Sequence, residues 1–164
     1  MIDLILDTCV LIDIAKTDIS ILNLINKIAI LHTITKVVEE VKSEKIDFVS
    51  HNIEIITPHA EDYFALEQSG SQALSKCDKL VYLTARRYNF ICVTNDTKMI
   101  NQCNELGIQT IRSLRLLLLL YENHVINYRR ALFFAQKMSQ VNAYITQKVL
   151  DEFRKELDII NHLP

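Results

Sequence analysis

Strand-like and helix-like segments alternate through the first two-thirds of the chain, and that alternation leaves few folds open. Ile2–Leu6 and Ala29–Ile34 are short runs dominated by apolar residues. Ile53–Thr57 and Phe90–Thr94 are two more, and Ile108–Ile111 closes the series. Between them lie stretches with apolar residues at helical spacing: Thr8–Lys16, Ile19–Ile28, Lys36–Ser43, Ala60–Gln68, Leu74–Tyr88 and Thr97–Leu106. Pro58 ends the third strand, and Gly107 stands where a helix stop is expected. Ser69-Gly70-Ser71 reads as a loop. Strands that alternate with helices predict an α/β fold, a parallel sheet covered on both faces.

After residue 112 the strand pattern ceases. Ser113–Tyr121, Asn127–Met138 and Ile145–Ile160 read as helices, and no linker-like composition separates them from what precedes. The chain is therefore read as one domain over residues 1–164, with an α/β core over 1–111 and a helical C-terminal extension over 112–164. Its 164 residues suit one domain, and 49% apolar content can fill one core.

The net charge of −2 discriminates little, but its distribution is uneven. Residues 1–75 carry 12 acids and 5 bases, residues 76–137 carry 4 acids and 10 bases, and the remainder 4 acids and 3 bases. A basic middle segment can track a phosphate backbone, although from charge alone an ordinary solvated surface is the simpler account. None of Cys9, Cys77, Cys92 and Cys103 forms a C-x-x-C pair, which argues against a zinc ribbon or a thioredoxin-type centre. Cys9, Cys92 and Cys103 read as small buried hydrophobes, and the thiols as reduced, in a cytoplasmic protein. The longest apolar run, Leu116–Leu120, is far short of a membrane span.

In an open parallel sheet, ligands bind beyond the carboxyl ends of the strands. Asp7 directly follows the first strand, and Asp96 follows the fourth after Asn95. Taken singly, each reads more simply as a helix N-cap. Asp78 fits a capping box with Ser75, yet it also shares a helix face with Val81 and Ala85, which turns its carboxylate inwards. With about 100° per residue, Glu40 falls at the edge of the face made by Val37, Val38 and Val41, while Glu39 points away. Asp13, Asp18, Asp47, Glu61 and Asp62 read as surface acids. Four converging carboxylates repel one another unless a hard divalent cation sits among them. Oxygen-only ligation selects Mg²⁺ or Mn²⁺ over zinc. Such a site activates water against a phosphodiester and needs no side-chain nucleophile.

The segments LILDTCVLID, TKVVEEV, LSKCDKLVYLTAR and ICVTNDTKMI, in that order, resemble the four acidic motifs of PIN domains, and the VapC-type toxins of bacteria and archaea are similar to them. The resemblance covers roughly residues 2–111. It matches Asp7, Glu40, Asp78 and Asp96 to the four acids, Thr94 to the hydroxyl residue ending the fourth strand, and Asn95 to a position that often precedes or replaces an acid. Thr97 and Lys98 stand where a further acid sometimes follows, which leaves the number of metals open. The tail resembles VapC-like proteins with an extended helical C-terminus. The resemblance implies a three-layer α/β/α sandwich and metal-dependent hydrolysis of RNA, transfer RNA among the candidates. It also implies a homodimer and a cognate antitoxin partner.

Three other readings compete with this one. A non-catalytic RNA- or protein-binding PIN module calls for a degraded acidic set, and this one is whole. A haloacid-dehalogenase-like phosphatase needs a second Asp two residues after the first, where this chain has Cys9. A PIN nuclease of RNA maturation or flap cleavage is separated from the toxin only by the short length of the chain.

Overall fold

The computed structural model describes residues 1–68 and 73–163, so the loop expected at Ser69-Gly70-Ser71 lies outside the described residues. Five strands form one sheet: β1 (Ile2–Leu6), β2 (Ala29–Ile34), β3 (Ile53–Ile56), β4 (Ile91–Val93) and β5 (Thr110–Ile111). Their order is β3-β2-β1-β4-β5, and every pairing is parallel. The central strands are apolar because they are covered on both faces: Leu4, Ile5 and Leu6 of β1 and Cys92 and Val93 of β4 are buried. Parallel neighbours need a crossover, and the helices supply it.

The helices are α1 (Thr8–Thr17), α2 (Ser20–Ile25), α3 (Thr35–Glu40), α4 (Ala60–Gln68), α5 (Lys76–Tyr88), α6 (Thr97–Glu105), α7 (Ser113–Glu122), α8 (Tyr128–Val141) and α9 (Gln147–Asn161). On one side α5 lies against β1, β2 and β4, with α4 packed on it. On the other, α1 and α7 pack against α8, and α9 lies on α7 and α8. This is the expected sheet flanked by helices.

Most differences from the sequence reading lie at element ends; the helix read over Lys36–Ser43 stops at Glu40, and a 3-10 turn over Lys42–Glu44 follows it. Helix α5 begins at Lys76 rather than Leu74 because Ser75 caps it. It ends where Asn89 adopts the left-handed conformation at φ 56°. Gly107 takes the left-handed position just past α6, at φ 69°, where a side chain would strain the backbone. The second helix shortens to Ser20–Ile25 because turn bonds Lys27 N–H to Leu24 and Ile28 N–H to Ile25 replace helical ones.

The tail belongs to the core. Leu116, Leu117, Leu118 and Leu120 of α7 are buried, as are Phe134 and Met138 of α8 and Phe153 and Leu157 of α9. Among the described residues no helix is long and apolar enough to cross a membrane.

Candidate active site

The strand ends bring the first and fourth acids together. The Asp7 N–H donates to the Val93 carbonyl (3.2 Å), so the end of β1 is tied to the end of β4. The Asp7 side chain is buried, and its hydrogen-bond donors are all neutral. Oδ2 accepts from the Thr94 hydroxyl (2.7 Å) and from the Cys9 thiol (3.2 Å), and Oδ1 accepts from the Thr8 N–H (2.6 Å). Burial raises its pKa above the ordinary value; the donors oppose this, and the nearby charge of Asp78 adds to it. Burial, and then the Asp7 charge, push the Cys9 thiol up to about 12, so it stays protonated and serves as a donor.

Thr94 is the pivot of the site. While donating to Asp7 it accepts from the Asp96 N–H (3.2 Å). Asp96 in turn caps α6: one carboxylate oxygen accepts from the N–H groups of Lys98 (2.8 Å) and Met99 (3.4 Å). Capping occupies only one of its two oxygens, so the cap does not exclude a place in the site. The same holds for Asp78. It forms a reciprocal capping box with Ser75, at 2.9 and 3.0 Å, and is half-buried close enough to Asp7 to act on it.

Glu40 ends α3 and is exposed, but the Thr8 hydroxyl donates to its Oε2 at 2.6 Å. Glu39 instead pairs with Lys36 at 2.8 Å on the outer side of the helix. The Cys77 thiol lies beside Thr8 and Glu40; burial first, and the Glu40 charge second, push it up to about 12. The structure therefore links Asp7 and Glu40 through Thr8, joins Asp96 to Asp7 through Thr94, and leaves Asp78 acting on Asp7 by its charge alone.

Two acids assigned to the surface are buried. Asp13, on α1, is met by the loop after β4 and by the tail. Its Oδ2 accepts from Asn95 (3.0 Å) and Asn142 (2.6 Å). Asn95 also accepts from the Ser113 N–H (3.0 Å). Asp62 is buried against Arg87, which donates to both its oxygens at 2.7 and 3.3 Å. Helical periodicity does place Asp13 beside Val10 and Ile14, but a partner lying 129 positions away has no local signature. Thr8, too, went unremarked, because a hydroxyl at a helix start is read first as a cap.

A cleft of about 1250 Å³ opens between the ends of β4 and β5 and the tail, reaching Cys9, Asn95 and Asp96. Among the described residues, no three His, Cys, Asp or Glu side chains lie close enough together to form a ready ligand cage. The donors at hand are carboxylate oxygens and hydroxyls. That chemistry fits Mg²⁺, which takes one or two protein carboxylates and keeps much of its water.

No curated protein matches the chain in sequence. In structure it is similar to a PilT N-terminus domain protein of the hyperthermophilic archaeon Sulfolobus solfataricus. That match has a TM-score of 0.53 at 15% identity and covers 73% of this chain and 93% of that one. It concerns the fold alone. The family comparison reaches further than the motifs do: the model of DUF3368, a PIN domain, matches residues 3–158 and so takes in the helical tail with the α/β core. The chain belongs to the PIN-domain family.

Proposed function

We propose that the protein is a Mg²⁺- or Mn²⁺-dependent endoribonuclease that hydrolyses RNA phosphodiester bonds, and that it is the toxin of a type II toxin–antitoxin pair. PIN domains are in general metal-dependent nucleases. The observation that carries the reading is Asp7, a buried carboxylate at the end of the central strand, held by neutral donors and facing further acids. A buried charge without a cation is costly, and a bound metal offsets that cost. The resemblance of the four acidic segments to VapC-type toxins supports the finer assignment, with RNA as substrate and a homodimer and an antitoxin as partners.

Asp7, Asp78, Asp96 and Glu40 are the groups that would hold the ion. When bound, the ion supplies a water activated for attack and stabilises the charge that develops on the phosphate. Thr94 fixes the direction of Asp7 and the height of the Asp96 backbone together. Thr8 does the same for Glu40. Asn95, anchored on Asp13 and Ser113, sets the turn between β4 and α6 from which Asp96 projects.

The test is cleavage of total and transfer RNA with Mg²⁺, Mn²⁺ or chelator, beside thermal melts. Asp78→Asn and Asp96→Asn are expected to abolish cleavage, while Glu39→Gln leaves it intact. Asn caps helices about as well as Asp, so Asp96→Asn keeps its stability, whereas Asp96→Ala is inactive and about 1 kcal/mol less stable. Cleavage that survives both aspartate changes, or ignores chelator, refutes the nuclease. Binding without cleavage under either metal would instead establish an RNA-binding module.

A further inference from the structure

The cleft that reaches Asp96 is walled on its far side by the tail, and its two sides carry opposite charge. Lys98 of α6 lines it together with Arg112 and Arg115 at the start of α7, while α9 contributes Glu152 and Glu156 one turn apart. Arg112 is braced, its Nη1 donating to the Asn95 carbonyl (2.8 Å) and its Nη2 to the Thr97 hydroxyl (3.2 Å). Arg115 is partly neutralised by Glu122 at 3.2 Å. Tyr144 also lines the cleft, with its side chain 85% exposed. An aromatic ring so little buried adds almost nothing to the core, yet its loop is fixed. The Tyr144 N–H donates to Asn142 Oδ1 (2.9 Å), and Asn142 in turn donates to the buried Asp13 (2.6 Å).

A single-stranded nucleotide has matching chemistry: an anionic phosphate, a flat π-face and, on adenine, cytosine and guanine, an amino group that donates hydrogen bonds. The cleft also exceeds the roughly 300–1,000 Å³ of small-molecule pockets, as a polymer segment requires. We propose that it seats a nucleotide of single-stranded RNA next to the one being cleaved. The phosphate lies against Arg112 and Lys98, the base stacks on Tyr144, and the base's amino group donates to Glu152 or Glu156. Uracil has no exocyclic amino group and is the disfavoured base. The proposal rests on the nuclease reading, because it is Asp96 that the strand approaches.

Binding and cleavage are measured separately. In chelator, fluorescence anisotropy with labelled single-stranded oligo(A), oligo(C) and oligo(U) reads the cleft without turnover. Tyr144→Ala is expected to weaken oligo(A) and oligo(C) binding about tenfold, the order of one lost base stack, and Tyr144→Phe to retain it. Glu152→Gln with Glu156→Gln should narrow the difference between oligo(C) and oligo(U). With metal, Tyr144→Ala should raise KM and leave kcat unchanged. Unaltered binding by Tyr144→Ala, equal affinity for oligo(U) and oligo(C), or no binding by the wild-type chain overturns the proposal. Whether the wild-type chain cleaves RNA when metal is added is read independently, so a nuclease with an idle cleft is told apart from a chain that is no nuclease.

Discussion

The buried carboxylate of Asp7 opposes folding. The ordinary pKa of an aspartate is 3.8, and burial first, with Asp78 adding, raises that of Asp7. A carboxylate whose folded pKa lies above its unfolded value binds its proton more tightly in the folded state. Its ionisation therefore subtracts stability as pH rises from the unfolded value through the folded one, and the loss is complete only above the folded value. In chelator, Asp7→Asn is thus expected to melt higher than the wild type at pH 7. The gain should shrink steadily as pH falls towards the unfolded value. Melting curves at several pH values check this. A lower melting temperature for Asp7→Asn at pH 7 would show that the lost hydrogen-bond geometry outweighs the relief of a buried charge.

Between elements, the most informative join is the one that Asn142 makes with Asp13, because it links the loop before α9 to the helix that starts at the site. Deleting the amide in Asn142→Ala removes one of two donors from a buried carboxylate, a change of about 2 kcal/mol. Asp13→Asn keeps an oxygen able to accept from both amides, so it should be tolerated. Urea unfolding midpoints distinguish the two, and an unaltered midpoint for Asn142→Ala would show that the join is dispensable. The same join marks where the sequence stops being legible. Periodicity gave the strands, their parallel arrangement and nearly every helix, because one-sided and two-sided burial leave repeating local patterns. The positions of Asp7 and Asp96 followed from strand ends alone, and the separation of Glu40 from Glu39 from helix angle. Asp13 and Asp62 were misread as surface acids because their partners, Asn142 and Arg87, come from distant segments. No local pattern distinguishes an acid facing water from one facing an amide delivered from afar.

Across the whole molecule, the helices after residue 112 complete the core. Phe134 and Met138 of α8 are buried, with α8 lying against α1 and α7, and Phe153 and Leu157 of α9 are buried as well. Each such side chain contributes about 1.5–3 kcal/mol when fully buried. Together the four rival the 5–15 kcal/mol by which a whole domain is stable. Deleting residues 127–164 would also uncover α1 where α8 lies against it, and would take Asn142 away from Asp13. The expectation is one cooperative unit. The intact chain should unfold in a single transition, with far-ultraviolet circular dichroism and tyrosine fluorescence changing together. The chain cut after Ile126 should be insoluble or unfolded, not a smaller active nuclease. A truncated protein that melts cooperatively and binds Mn²⁺ would show that the first 126 residues fold alone and that the tail is an accessory. Two separated transitions in the intact chain would place a domain boundary between the α/β core and the tail.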